Sequence, residues 1–198
     1  MREKDIGCLV IDGLLSGERM LSGLSSYLAA RGVRAEDYRA DRELLHLSLQ
    51  LAYQRVRRPE GVTGAAAFGD GCVAALALAG QLPVDRLILV EPRWPADLPE
   101  GPRELRRQAA RLRGYAADGL PVCACDVLAL LSGEDYDRRG LESLRRGLCG
   151  CRFYAVSLVG NVWNNRKELM KMAVYGFLRN GVLPKSLAEN PEMCIIYE

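Results

Sequence analysis

Two spacings of apolar residues alternate along this chain. Ile6 to Ile11 (Ile-Gly-Cys-Leu-Val-Ile) is apolar on both faces, as in a strand buried inside a parallel sheet. From Glu18 to Arg31 the spacing turns helical, with Met20, Leu21, Leu24, Tyr27 and Leu28 on one side and Gly32 as a stop. Val33 to Tyr38 reads as a short strand. Arg42 to Arg57 reads as a second amphipathic helix with Leu45, Leu49, Ala52, Tyr53 and Val56 on its apolar face, closed by Pro59 and Gly61. Next comes Gly64-Ala-Ala-Ala-Phe-Gly-Asp-Gly-Cys-Val-Ala-Ala-Leu-Ala-Leu-Ala79, a strand that turns through glycines into an apolar helix. Pro83 ends that helix, and Arg86 to Val90 is another buried strand.

The second half repeats the alternation. Arg93 to Pro102 is a proline-rich loop and Arg103 to Arg113 a basic helix. Val122 to Leu131 is a strand, Gly140 to Leu148 a helix, Arg152 to Val159 a strand and Asn164 to Arg179 a long helix. Met193 to Tyr197 is either an edge strand or a packed arm. Strands alternating with helices predict an α/β protein, a mostly parallel central sheet with helices on both faces. No internal repeat or low-complexity linker divides it, so residues 1–198 are expected to form a single domain.

Composition narrows the class. With 27 Lys and Arg against 25 Asp and Glu, the net charge of +2 gives no strong attraction to nucleic acid or membrane. No run of about 18 apolar residues occurs, so no membrane span is expected. The charged N-terminus leads into a short apolar run, unlike a signal peptide. Seven cysteines, an odd number in a chain of ordinary size, fit reduced thiols in a cytoplasm better than a disulfide framework.

The glycine corner is where chemistry is expected. Gly69 and Gly71 flank Asp70, and lacking a Cβ they let a strand turn sharply into a helix at the carboxyl edge of the sheet. The order of the elements from about residue 6 to 180 resembles the α/β-hydrolase family. Ala67-Phe68-Gly69-Asp70-Gly71 is similar to the nucleophile elbow of that family, and Asp12-Gly13, with Leu14 after it, stands where the oxyanion loop begins. Val127 to Asp135 is similar to the late strand whose end carries the triad acid. Val159-Gly160-Asn161 stands where the family places its histidine. The resemblance implies a cleft lined by Asp12, Gly13, Leu14, Gly69, Asp70, Gly71 and Trp163.

The departures from the family pattern decide the functional expectation. The nucleophile position is Gly69, which has no side chain. The histidine position is Asn161, which is no base near neutral pH. Only the acid position survives, as Asp135, with Asp137 in its place if the register shifts by two. A serine–histidine–acid site needs an imidazole to carry the proton. The one histidine, His46, belongs to a helix before the corner, from which the sheet edge is not expected to be in reach. Cys72 falls one turn into the helix, where a nucleophile fits the elbow poorly. Ser132 and Ser157 have no base identifiable in reach.

Three further patterns compete for function. Gly69-x-Gly71-x-x-Ala74, with Glu91 about 20 residues on, matches a dinucleotide fingerprint. Asp70 beside the phosphates and the third place of this strand in the chain speak against it. Cys123-x-Cys125 and Cys149-x-Cys151 invite a metal, but the spacing is not the usual one for zinc, and Cys123 and Cys125 lead into a strand, where residues i and i+2 share a face and suit the core or an interface better. Cys8 and Cys194 read as packing. Arg103, Arg106, Arg107, Arg111 and Arg113 form a solvated face or a site for an acidic group. Trp94, Trp163 and Tyr136 fall on loops where aromatics line pockets. The sequence therefore favours an α/β-hydrolase-like binding or scaffold protein that has lost hydrolytic activity, with no cofactor and no metal. Its expected partner is a small-molecule or acyl-type ligand or another protein, with no role for nucleic acid or membrane. The alternatives are an esterase or thioesterase with an atypical catalytic set, and a nucleotide-binding protein using the Gly69-x-Gly71 corner.

Overall fold

A computed structural model describes residues 5–13, 19–38, 45–93, 124–133, 138–147, 151–158, 163 and 166–197. The expected basic helix at 103–113 lies outside them. The strands are β1 (Ile6–Ile11), β2 (Val33–Asp37), β3 (Val62–Phe68), β4 (Arg86–Val90), β5 (Asp126–Ser132), β6 (Phe153–Leu158) and β7 (Met193–Tyr197). The helices are α1 (Leu24–Ala29), α2 (Leu45–Val56), α3 (Gly71–Ala79), α4 (Arg138–Gly147), α5 (Lys167–Asn180) and the single turn α6 (Lys185–Ala188).

One seven-stranded sheet runs in the order β2-β1-β3-β4-β5-β6-β7. All neighbours are parallel except β7, which returns antiparallel along β6. The residues Met193 to Tyr197 are thus an edge strand, which settles the choice left open by the sequence. β1, β3, β4, β5 and β6 are largely apolar on both faces because both faces are covered, whereas the edge strand β2, Val-Arg-Ala-Glu-Asp, is polar and partly exposed. Leu9, Ile11, Ala65, Ala67, Leu87, Leu89, Val127 and Ala129 meet α2, α3 and α4 on one face. Cys8, Val10, Ala66, Ile88, Val90, Leu128 and Leu130 meet α1, α5 and α6 on the other.

Several elements differ in extent from the expectation. The first helix begins at Leu24, not Glu18, because Gly23 takes a left-handed φ of 77° that breaks the turn at residues 20–23. The fifth strand begins at Asp126, not Val122. The α3 helix is buried along its whole length, which explains why its residues are apolar all round. Beneath it β3 carries Gly64, Ala65, Ala66 and Ala67, small enough for helices to approach from both faces. A Cβ on Gly64 would lie 2.3 Å from Leu178 Cδ2 of α5.

The chain passes from β1 to β2 on one side and then to β3 on the other. Its direction of travel across the sheet therefore reverses between β1 and β3. In open parallel sheets this reversal leaves a crevice at the carboxyl ends of the two strands. Here it is bounded by Asp12-Gly13 after β1 and Gly69-Asp70-Gly71 after β3.

Candidate functional site

The corner after β3 is a sharp elbow. Gly69 has φ +58°, in the left-handed region that side chains resist. Its backbone is clamped by the neighbouring strand end. Gly69 N–H donates to Val90 O at 3.0 Å, and Gly69 O accepts from Arg93 N–H at 3.0 Å and Cys72 N–H at 3.2 Å. Gly69 is itself buried, yet no atom of a described residue lies within 4 Å of the position its Cβ would take. The first atom of a side chain there would therefore clash with no described residue.

Gly71 is a glycine for a different reason. A Cβ on it would lie 2.7 Å from Asp12 O and 3.0 Å from Ile11 O. The first turn of α3 therefore rests directly on the end of β1. Close helix–strand contact accounts for the second glycine of the Gly69-x-Gly71 pattern with no pyrophosphate invoked. Asp70 is 1% exposed and does not cap α3 with its side chain.

Asp12 braces the loop after β1. Its Oδ1 accepts the N–H groups of Gly13 at 3.2 Å and Leu21 at 3.3 Å. Burial pushes its carboxyl above the ordinary range, and the backbone donors offset part of that. Asp12 thus fixes the rim of the crevice. Asp12, Gly13, Gly69, Asp70 and Gly71 are brought together at the point where the sheet order reverses. Leu14, Asp135, Asn161, Trp94, Tyr136 and Asp137 lie outside the described residues.

Other placements revise the expectations. Trp163 is fully buried and donates its indole N–H to Leu131 O at 2.8 Å. It is a core residue, because a ring of that size with one satisfied donor is most stable out of water. Cys72 is no nucleophile in this state. Its thiol is fully buried, directed at Ala67 O and Val90 O, and burial pushes its pKa well up. Cys125 is buried as expected, whereas Cys194 is exposed on the edge strand β7 and is not a packing residue. Cys123 and Cys149 lie outside the described residues, among which no cluster of metal-binding side chains occurs.

Two features escaped the sequence reading. Ser132, at the end of β5, donates to Glu91 Oε1 at 2.5 Å, so this serine does have a carboxylate in reach. Glu91 is the one non-glycine residue with positive φ (46°) among the described residues. The register that puts Val90 beside Leu130 brings these two strand ends together, and no signal along the chain reports it. The second is the direction of α2. It follows β2 and returns over β1 and β2 to feed β3. Its first turn, with His46, therefore lies at the carboxyl edge of the sheet rather than away from it.

No family model matches the chain, and no curated protein matches it by sequence. Its structure is nevertheless similar to solved ones. One of the metagenome-derived lipolytic enzymes LipS and LipT is 14% identical, with a TM-score of 0.62, covering 89% of this chain and 96% of that one. The α/β-hydrolase enzyme MGS-M2 from a deep-sea metagenome library is 13% identical, with a TM-score of 0.55, covering 93% and 92%. The NocB thioesterase domain is 18% identical, with a TM-score of 0.54, covering 91% and 96%. The fold is that of the α/β-hydrolases.

Proposed function

We propose that this chain is a binding protein on the α/β-hydrolase scaffold, without hydrolytic activity, taking a small acyl-type ligand in the recess beside Gly69. The observation that carries this reading is the elbow itself. It keeps the left-handed backbone that presents a nucleophile in an active hydrolase, and space beside its Cβ position, but has no side chain to attack a carbonyl. The similar structures, described as lipolytic and thioesterase proteins, are consistent with an acyl group as the ligand's recognisable part.

The competing reading is hydrolysis by an atypical set. The position of His46 in the first turn of α2, on the carboxyl side of the sheet, favours it. Assays on p-nitrophenyl acetate, p-nitrophenyl butyrate and an acyl-thioester, with a denatured control, separate the two. The binding reading expects no turnover from folded protein and a thermal shift with short- and medium-chain fatty carboxylates that Gly69→Asn abolishes by filling the recess. Turnover lost in His46→Ala would overturn it.

A further inference from the structure

We infer that the protein forms a two-fold dimer by antiparallel pairing of β2 with β2 of a second copy, joining two seven-stranded sheets into one. β2 is the last strand of the sheet on its side, and among the described residues nothing pairs with its outer edge. Tyr38 N–H donates to Val10 O at 2.7 Å. Bonding alternates along a parallel ladder, so Arg34 and Glu36 bond inward to β1. Val33, Ala35 and Asp37 therefore turn their N–H and C=O groups outward.

The sequence of this edge is complementary to itself. In Val33-Arg34-Ala35-Glu36-Asp37, a two-fold axis through Ala35 sets Ala35 opposite its own copy and Val33 opposite Asp37. These are the residues whose backbone groups point outward, so each exchanges both hydrogen bonds with its opposite number. Arg34 then stands opposite Glu36 of the other copy, twice by symmetry, in the non-hydrogen-bonded pairs where Cβ atoms are about 4.5–5.5 Å apart. Arg34 is exposed and makes no ion pair with a described residue. Glu36 already faces Arg55 of α2 at 2.5 Å, so the added Arg34 would place its carboxylate between two cations.

Apolar surface lies along the same edge. A groove of about 310 Å³ runs between β2 and α2, lined by Glu36, Tyr38, Leu51 and Arg55. Leu51 is 52% exposed and Leu47, one turn earlier, 49%. The proposed axis sets the two α2 helices side by side on that face, where these leucines cover one another. The opposite edge is less suited. β7 carries the exposed Ile195, but a register shift between Ala155 and Val156 disturbs its ladder, a device that blunts edges.

The test is sedimentation equilibrium of the full chain over a wide range of concentration, with far-UV circular dichroism on each variant. The wild type is expected to dimerise. Arg34→Glu, which sets two carboxylates face to face across the axis, is expected to weaken dimerisation by at least about tenfold. The exchange Arg34→Glu with Glu36→Arg, made together with Arg55→Glu because Glu36 pairs with Arg55 in its own protomer, restores the attraction and is expected to recover most of the affinity. Ala35→Pro removes an outward N–H that β1 does not use, and is expected to abolish the dimer without altering the charge. A wild type monomeric at every concentration overturns the inference. So does a dimer indifferent to Arg34→Glu, or an exchange variant that stays as weak as Arg34→Glu.

Discussion

The two glycines of the elbow should resist added side chains for different reasons, one of space and one of backbone strain, and Gly71 gives the sharper test. In Gly71→Ala the new methyl would meet Asp12 O at 2.7 Å, Ile11 O at 3.0 Å and Ile11 Cγ2 at 3.1 Å. Two of these are backbone atoms at the end of β1, so no rotamer change relieves the contact. Either α3, buried along its whole length, or the end of β1 must move by several tenths of an ångström. Overpacking of this kind costs about 1–3 kcal/mol, and the rigid targets place it at the upper end. Alanine returns up to about 1 kcal/mol through helix propensity. The net loss is about 2 kcal/mol, equivalent to about 4–8 °C in Tm for a chain of this size. Gly69→Ala meets no described atom but must hold φ +58°, at a cost of about 1–2 kcal/mol. The replacement by Asn separates the two causes, because Asn tolerates the left-handed region whereas its bulk only worsens the clash. Urea unfolding of all four variants should therefore rank Gly69→Asn nearest the wild type and Gly71→Asn furthest. A Gly71→Ala protein within about 0.5 kcal/mol of the wild type, the scatter of neutral surface substitutions, would refute the claim that β1 and α3 are in contact at this point. Equal costs for Gly69→Asn and Gly71→Asn would refute the separation of strain from sterics.

Other predictions concern groups away from the elbow. Arg86, 8% exposed, donates through Nη1 to Phe177 O at 3.3 Å and to Leu178 O, satisfying the last turn of α5. Arg86→Met should cost about 1–3 kcal/mol through the orphaned Leu178 O, since Phe177 O keeps the N–H of Gly181, and speed amide exchange at the C-terminal end of α5. Burial raises the pKa of Asp12 above its ordinary 3.8 in the folded state, so the folded protein holds that proton more tightly than the unfolded chain. The contribution of Asp12 to stability is thus fully present below the unfolded pKa and is lost as pH rises through the folded value. Asp12→Asn, which keeps the acceptor oxygen, should flatten that decline in unfolding measured from about pH 3 to 7; an unchanged slope would contradict it. Burial also pushes the Cys8 thiol up to about 12, and Cys72 well above its usual value. In native protein, Ellman's reagent should therefore label Cys194 and leave Cys8, Cys72 and Cys125 until unfolding, and Cys194→Ser should remove a fast phase that Cys72→Ala leaves intact.

Much of the architecture was legible along the chain. Ile6–Ile11 and Arg86–Val90 are strands over the expected residues because they are apolar on both faces and end at turn-forming residues. Boundaries moved where one residue's backbone overrode the side-chain pattern, as Gly23 did at the start of α1. Trp163 was misplaced because sequence position gave a loop, whereas burial depends on which core stands nearby. The direction of α2 was missed because helical spacing carries no direction relative to the sheet edge.

The sequence by itself determined the class of the protein. Apolar runs of strand length alternating with amphipathic helices have one economical solution, a parallel sheet covered on both faces, and glycines at 69 and 71 mark its sharpest turn. The site was decided only by tertiary structure. The order β2-β1-β3 puts Asp12-Gly13 beside the elbow, although a strand and two helices intervene in the chain between β1 and β3. It also decides that Gly71 serves packing against β1, that no described atom crowds a Cβ on Gly69, and that Ser132 reaches Glu91. Local pattern reports what each segment buries, whereas these contacts depend on which segments the sheet sets side by side.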